Sequence, residues 1–123
     1  MNAIISRVDH TQVAAPEGCE HAAREFYGLL LGLHEIEKPA SLRARGRCWF
    51  QCGDQQLHIG VEAAFQPAKK AASRLRCCKS RQTPRISPAH GVNITDDDSL
   101  PGARRFYAED PWGNRLEFLQ LTS

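Results

Sequence analysis

Glu117 is the residue whose setting most demands an explanation. It stands in Arg115-Leu116-Glu117-Phe118-Leu119-Gln120-Leu121, an alternating run that reads as a strand. Glu117 shares a face with Arg115, Leu119 and Leu121. A carboxylate turned inward beside leucines is costly unless a cation meets it: a metal ion, a protonated histidine or an arginine. Two arginine–aromatic pairs also share strand faces, Arg47 with Trp49 and Arg105 with Tyr107. In each, the guanidinium suits a carboxylate and the ring can floor a pocket, so all four residues are candidates for substrate binding. The competing reading makes Trp49 and Phe106 core residues and the arginines solvated. The five cysteines do not make a site. Cys48 and Cys52 share a strand face but stand about 13 Å apart, and Cys77 and Cys78 point opposite ways on a strand. With Cys19 they are expected to be free thiols. His90, just before Gly91, reads as a surface residue.

These residues must be positioned by short elements. Asn2 to His10 alternates as a first strand. After a Pro16-Glu17-Gly18 loop, Cys19, Ala22, Ala23, Phe26, Leu29 and Leu30 recur at helical spacing, with Gly32 just past the end. Phe26 and Tyr27 are expected to pack between helix and sheet. Leu33 to Lys38, Arg47 to Cys52 and Gln56 to Glu62 read as three further strands, the last two forming a hairpin around Gly53-Asp54. In the last strand Leu57, Ile59 and Val61 oppose Gln56, His58 and Gly60. Ala72 to Cys78 is expected to open a second half. Lys79 to Ala89 falls where its helix belongs, but Pro84 and Pro88 would break one. Val92 to Thr95, Arg104 to Ala108 and Arg115 to Leu121 read as the remaining strands. Asp96-Asp97-Asp98 reads as an exposed acidic loop. Asp110 to Asn114 is rich in turn formers, with Gly113 suited to positive φ and Asp110 to capping the turn. The order is β, α, β, β, β twice over. The fold class is therefore α+β: two βαβββ modules, residues 1–65 and 68–123, in one domain with a weak or disrupted second helix.

Composition narrows the rest. The chain has 123 residues, 41% hydrophobic and 24% charged, an ordinary globular mix for one domain. The net charge of +2 is too small to imply a nucleic-acid partner. No run approaches about eighteen apolar residues, so no membrane span is expected. An odd cysteine count without a secretory leader points to reduced thiols and a cytoplasmic setting. Residues 72–88 stand apart: they lack acids, carry many basic residues, and show only Leu75 as a large aliphatic before Ile86. A local reading-frame change in the coding DNA would produce this pattern, and resequencing the gene would test it.

Several pieces together resemble the vicinal oxygen chelate superfamily of glyoxalase I, bleomycin and fosfomycin resistance proteins and extradiol dioxygenases. They are Val8-Asp9-His10, Ala23-Arg24-Glu25-Phe26-Tyr27-Gly28 before Leu31-Gly32-Leu33, Gly46-Arg47-Cys48-Trp49-Phe50, Gln56-Leu57-His58-Ile59-Gly60, Leu100-Pro101-Gly102, Arg105-Phe106-Tyr107 and Asp110-Pro111-Trp112-Gly113-Asn114-Arg115-Leu116-Glu117. The resemblance covers nearly the whole chain except about residues 72–88. It implies two modules lining a cupped mixed sheet, with metal ligands from the first and fourth strands of each half. On that pattern His10, His58 and Glu117 match ligand positions, and Glu117 is the catalytic candidate. The remaining position, usually histidine, aligns with Ala72, which has no donor atom.

Two imidazoles and a carboxylate suit Zn²⁺, Fe²⁺, Mn²⁺ or Ni²⁺ with open positions for a bidentate substrate. The resemblance thus implies a divalent-metal-dependent lyase, isomerase or dioxygenase acting on a small oxygen-bearing substrate. Loss of the ligand at Ala72 leaves two alternatives open, a metal-free small-molecule binder of the resistance type or a degenerate inactive member. The metal reading requires side chains from positions 10, 58 and 117 to meet. A homodimer is a further expectation from the family.

Overall fold

The computed structural model describes residues 4–39, 48–69, 73–76, 91–97, 99 and 101–121. Arg47, Ala72, Cys77, Cys78, His90 and the expected second helix lie outside them. Among the described residues, eight strands form two four-stranded sheets. The first is β1 (His10–Ala15), β2 (His34–Ile36), β3 (Cys48–Cys52) and β4 (Gln55–Val61), in the spatial order β1-β4-β3-β2. The second is β5 (Ser73–Arg76), β6 (Ile94–Asp97), β7 (Ala103–Glu109) and β8 (Arg115–Leu121), in the equivalent order β5-β8-β7-β6. In each sheet the opening strand runs parallel to the last, and the other pairs are antiparallel. The repeated order bears out the two-half fold.

The expected hairpin forms, with Trp49 opposite His58 and Phe50 opposite Leu57. Gly53 turns it at φ 61°, a conformation that glycine adopts without a Cβ penalty. Alternation assigns the faces. Val13, Ala15, Cys48, Phe50, Leu57 and Ile59 of the first sheet are buried, as are Ala108, Leu116 and Phe118 of the second, and all belong to one hydrophobic cluster. Phe50 and Ile59 are fully buried, and each such side chain contributes about 1.5–3 kcal/mol. Leu119, on the opposite face of β8, is also largely buried.

The helix starts as α1 (Glu20–Ala23) and continues directly as the wider π-helical α2 (Arg24–Leu30). The backbone bond from Leu31 N to Phe26 O, 2.9 Å, spans five residues rather than four. That widening explains a departure from the expected stripe. Tyr27, outside the stripe, is fully buried, whereas Leu29, inside it, is 72% exposed. Extra residues per turn rotate the later positions about the axis, bringing Phe26 and Tyr27 against the sheet.

Two sequence expectations need correction at the strands. The first strand is not Asn2 to His10: it begins at His10, and residues 4–9 are exposed and carry no ladder. Their alternation, led by Ile4 and Val8, meets no strand, because the ladder between β1 and β4 takes in only His10 to Ala15. The acidic run is also not wholly a loop. Asp96 and Asp97 lie in β6 opposite Phe106 and Arg105.

A buried polar joint ties the halves together. The Tyr27 hydroxyl donates to Asp110 Oδ2 at 2.9 Å, 83 positions along the chain. Asp110 Oδ1 accepts from the backbone N–H groups of Trp112 and Asn114, at 3.1 and 2.8 Å. Asn114 Nδ2 donates to Asp110 Oδ2 at 2.9 Å and to the Ala14 carbonyl of β1 at 2.7 Å. Asp110 therefore caps the turn as expected, Gly113 has φ 89°, and the joint is architectural. Burial and the adjacent carboxylate push the Tyr27 phenol well above its usual range, so it remains a donor.

Candidate functional site

The polar face of the first sheet is built by the residues that alternate with its core. Gln12, His58 and Trp49 form one row across β1, β4 and β3. His58 is only 7% exposed and lies between two rings. The Trp49 indole stacks on it with centroids 4.1 Å apart and planes within 3°. The His10 ring stacks at 4.1 Å with an interplanar angle of 15°. His58 Nε2 also lies 2.8 Å from Gln56 Oε1, and His10 Nδ1 lies 3.2 Å from Asp9 Oδ2. Trp49 is thus not a core residue but one wall of an aromatic–imidazole stack. Sheet register explains the meeting of the histidines, because His10 stands opposite Gln56, two residues from His58 on the same face.

The matching face of the second sheet is charged. Glu117 is 6% exposed and sits opposite Tyr107, and Arg105 sits opposite Asp97 and Leu119. Arg105 Nη1 lies 3.8 Å from Glu117 Oε1. Arg105 Nη2 donates to Asp97 Oδ2 at 2.9 Å and to Ser99 Oγ at 3.0 Å. The sequence demand for a cation beside Glu117 is therefore met in part by Arg105. Bonds from the Ser99 hydroxyl and amide, followed by the Arg105 charge, hold the Asp97 carboxyl below its usual 3.8. Arg105 Nε is buried and has no hydrogen-bond partner among the described residues. The Arg115 guanidinium lies 3.7 Å from the Tyr107 ring centroid, and that of Arg105 lies 5.7 Å away.

The structure thus brings His10, His58 and Trp49 together on one sheet, and Glu117, Arg105 and Tyr107 together on the other. Arg47 lies outside the described residues. Among the described residues, no group of three or more His, Cys, Asp or Glu side chains is arranged to hold a metal ion. The donor types suit a divalent metal, but within one chain the described residues do not close a ligand set. Sequence reasoning missed Asp97 and Ser99 as anchors of Arg105, because an Asp run reads as solvated. It also left Arg115 unassigned, although its position two residues before Glu117 places it on the same strand face.

A separate groove of about 330 Å³ lies between the helix and the first sheet, lined by His21, Arg24, Gly28, Leu29, Glu35 and Phe50. None of the candidate residues lines it. Arg24 closes one side through two bonds to Glu35, at 2.9 and 3.2 Å. Among the described residues Cys19, Cys48 and Cys52 form no disulfide, and burial pushes the Cys48 thiol up to about 11, away from thiolate chemistry. Among the described residues no helix is long and apolar enough to cross a membrane.

No family model and no curated protein matches the chain. Solved structures do. A protein assigned to the glyoxalase family from Bacillus anthracis is 44% identical, with 99% of this chain and 100% of that one covered at a TM-score of 0.87. The fosfomycin resistance protein FosX from Listeria monocytogenes shares the fold at 18% identity, covering 97% of this chain and 96% of its own, with a TM-score of 0.72. A glyoxalase/dioxygenase from Nostoc punctiforme does so at 22% identity, covering 100% and 99%, with a TM-score of 0.67. The full-length match at 44% identity and a TM-score of 0.87 makes this chain a member of the glyoxalase family, within the vicinal oxygen chelate superfamily.

Proposed function

We propose that the protein is a divalent-metal-dependent enzyme acting on a small oxygen-bearing substrate, and that the metal is shared between two copies of the chain. One copy would supply His10 and His58, and the other Glu117. The observation that carries this reading is the contact between the His10 and His58 rings, while Glu117 belongs to the other sheet. Among the described residues of one chain Glu117 does not group with the two histidines, so an ion that uses all three donors would take the carboxylate from a second chain. A glutamate-to-glutamine mutant of FosX from Listeria monocytogenes has been crystallised in complex with Mn(II) and 1S,2S-dihydroxypropylphosphonic acid. A bound divalent ion supplies Lewis-acid stabilisation of negative charge on a substrate oxygen. The chain's own residues would orient that substrate: Trp49 offers an aromatic surface, and Tyr107 offers a phenol opposite Glu117.

A second reading is favoured by a specific observation. His58 is already stacked on both sides and close to Gln56, and Glu117 already faces Arg105. Such groups suit a metal-free binder of a small aromatic or amphiphilic molecule.

Metal analysis of protein purified without chelator separates the two. The enzyme reading expects stoichiometric divalent metal, lost in His58→Ala and in Glu117→Ala. A purified heterodimer of those two variants should regain half the metal, because one of its two composite sites is intact. A metal-free wild-type protein supports the binder instead. Metal retained in both variants, or none in the heterodimer, overturns the shared site.

A further inference from the structure

We propose that Arg115, stacked on Tyr107, is the anion-recognition residue of the site, and that the substrate carries a carboxylate or phosphate-type oxyanion. This rests on the reading that the polar sheet faces hold a small oxygen-bearing substrate, and it adds the substrate's charge and the residue that selects it.

The sequence offers two arginines near Glu117, and their surroundings separate them. Arg105 is committed. Its Nη2 is used by Asp97 and Ser99, and its Nη1 faces Glu117. Arg115 is not committed in this way. Its cross-strand neighbour is Glu109, whose carboxylate instead lies 3.6 Å from Lys69 Nζ. Among the described residues Arg115 makes no ion pair, and its guanidinium rests 3.7 Å from the Tyr107 ring centroid. A guanidinium on a ring face keeps its in-plane N–H groups available, which is the arrangement that meets an oxyanion with two parallel bonds. The ring also restricts the side chain, so less freedom is lost on binding.

Two further observations point to an anion rather than a neutral group. Arg105 Nε is a buried donor without an acceptor among the described residues, in the same cluster as Tyr107. A ligand oxygen would satisfy it, and buried donors are rarely left unmet. Glu117, the nearby negative group that would oppose an anion, has Arg105 3.8 Å away. Arg105 thus stands between the Asp97 and Glu117 carboxylates, and Arg115 is the cation of this cluster that makes no ion pair among the described residues.

The test uses the full chain, with inorganic phosphate and acetate as probes followed by NMR titration. Wild-type protein should bind at least one of them saturably, and the stronger probe tells phosphate-type from carboxylate recognition. Arg115→Met should weaken that binding about tenfold or more, equivalent to roughly 1.4 kcal/mol. Arg115→Lys, which keeps the charge but not the fork, should fall between. Metal content should not change in Arg115→Met, and anion binding should survive in His58→Ala. Failure of the metal reading therefore leaves this result intact, and the reverse also holds. If Arg115→Met does not fold by circular dichroism, Tyr107→Leu, which removes the platform, takes its place with the same expected loss. Absence of saturable binding of either probe to the wild type, or binding indifferent to both substitutions, overturns the proposal.

Discussion

The two sheets have the same strand order and opposite surface chemistry. On the first, Trp49, His58 and His10 form a stack of flat rings flanked by the amides of Gln12 and Gln56. On the second, Asp97, Arg105 and Glu117 form a braced row of charges beside Arg115 on Tyr107. One backbone plan thus supports a surface held by ring contact and a surface held by ion pairing. The comparison teaches that the strand repeat fixes where side chains project, while residue type at a few alternating positions fixes what each surface can bind. A stack of flat rings suits planar or metal-bound groups, and a charged row suits an anion.

The comparison breaks most severely if the joint between the halves is removed. Asp110 accepts from the Tyr27 hydroxyl, two backbone amides and the Asn114 side chain. Asp110→Ala leaves those buried donors unmet and is expected to cost about 3–5 kcal/mol in urea unfolding. Tyr27→Phe removes only one donor and should cost about 1–2 kcal/mol. If the joint serves both sheets, both variants should lose the first and second sheets in one transition. Separate loss of the Trp49 and Trp112 fluorescence signals would show that the halves stand independently.

The next test sets one surface against the other. Arg105→Met removes the cation between Asp97 and Glu117 and should cost about 2–3 kcal/mol. Trp49→Leu removes ring contact from His58 and should cost about 1–2 kcal/mol. The two differ in salt response. The stability gap between wild type and Arg105→Met should shrink as ionic strength rises, whereas the gap for Trp49→Leu should stay constant. Equal salt responses would remove the distinction between a charged face and a stacked one.

Much of this was legible in the sequence, for identifiable reasons. Alternation in Gln56 to Glu62 assigned Leu57 and Ile59 to the core and His58 to the other face, because a strand's period is two and one face is buried. The Asp110–Asn114 turn was legible because capping is local. What escaped was set by distant partners. The start of β1 depends on the length of β4, which nothing in Asn2 to His10 encodes. The burial of Tyr27 depends on π-type turns and on Asp110 far along the chain. Asp97 looked solvated because its partners, Arg105 across the ladder and Ser99 around the turn, emerge only once β6 and β7 pair. The convergence of His10, His58 and Glu117 was beyond spacing altogether. In the structure the His10 and His58 rings stack on one sheet, and the carboxylate stands on the other.

The smallest expected effect sharpens the comparison through pH. Asp97 and Asp110 shift in opposite directions. Burial pushes the Asp110 carboxyl above its usual 3.8, despite the bonds it accepts. The native state thus favours its protonated form, and that contribution is present below the usual value and lost as pH rises through the raised one. Asp97 is held below 3.8 by Ser99 and then by Arg105, so its native state favours the ionised form. Its contribution is present above the usual value and is lost as pH falls through the lowered one. In Asp97→Asn this loss cannot occur. Urea midpoints measured between about pH 3 and 6 should therefore fall less steeply on the acid side in Asp97→Asn than in the wild type. The difference should be small, because the carboxylate is partly exposed and water competes for it. Parallel curves would mean that Ser99 and Arg105 do not favour the ionised carboxylate, and the charged row would then depend on Arg105 and Glu117 alone.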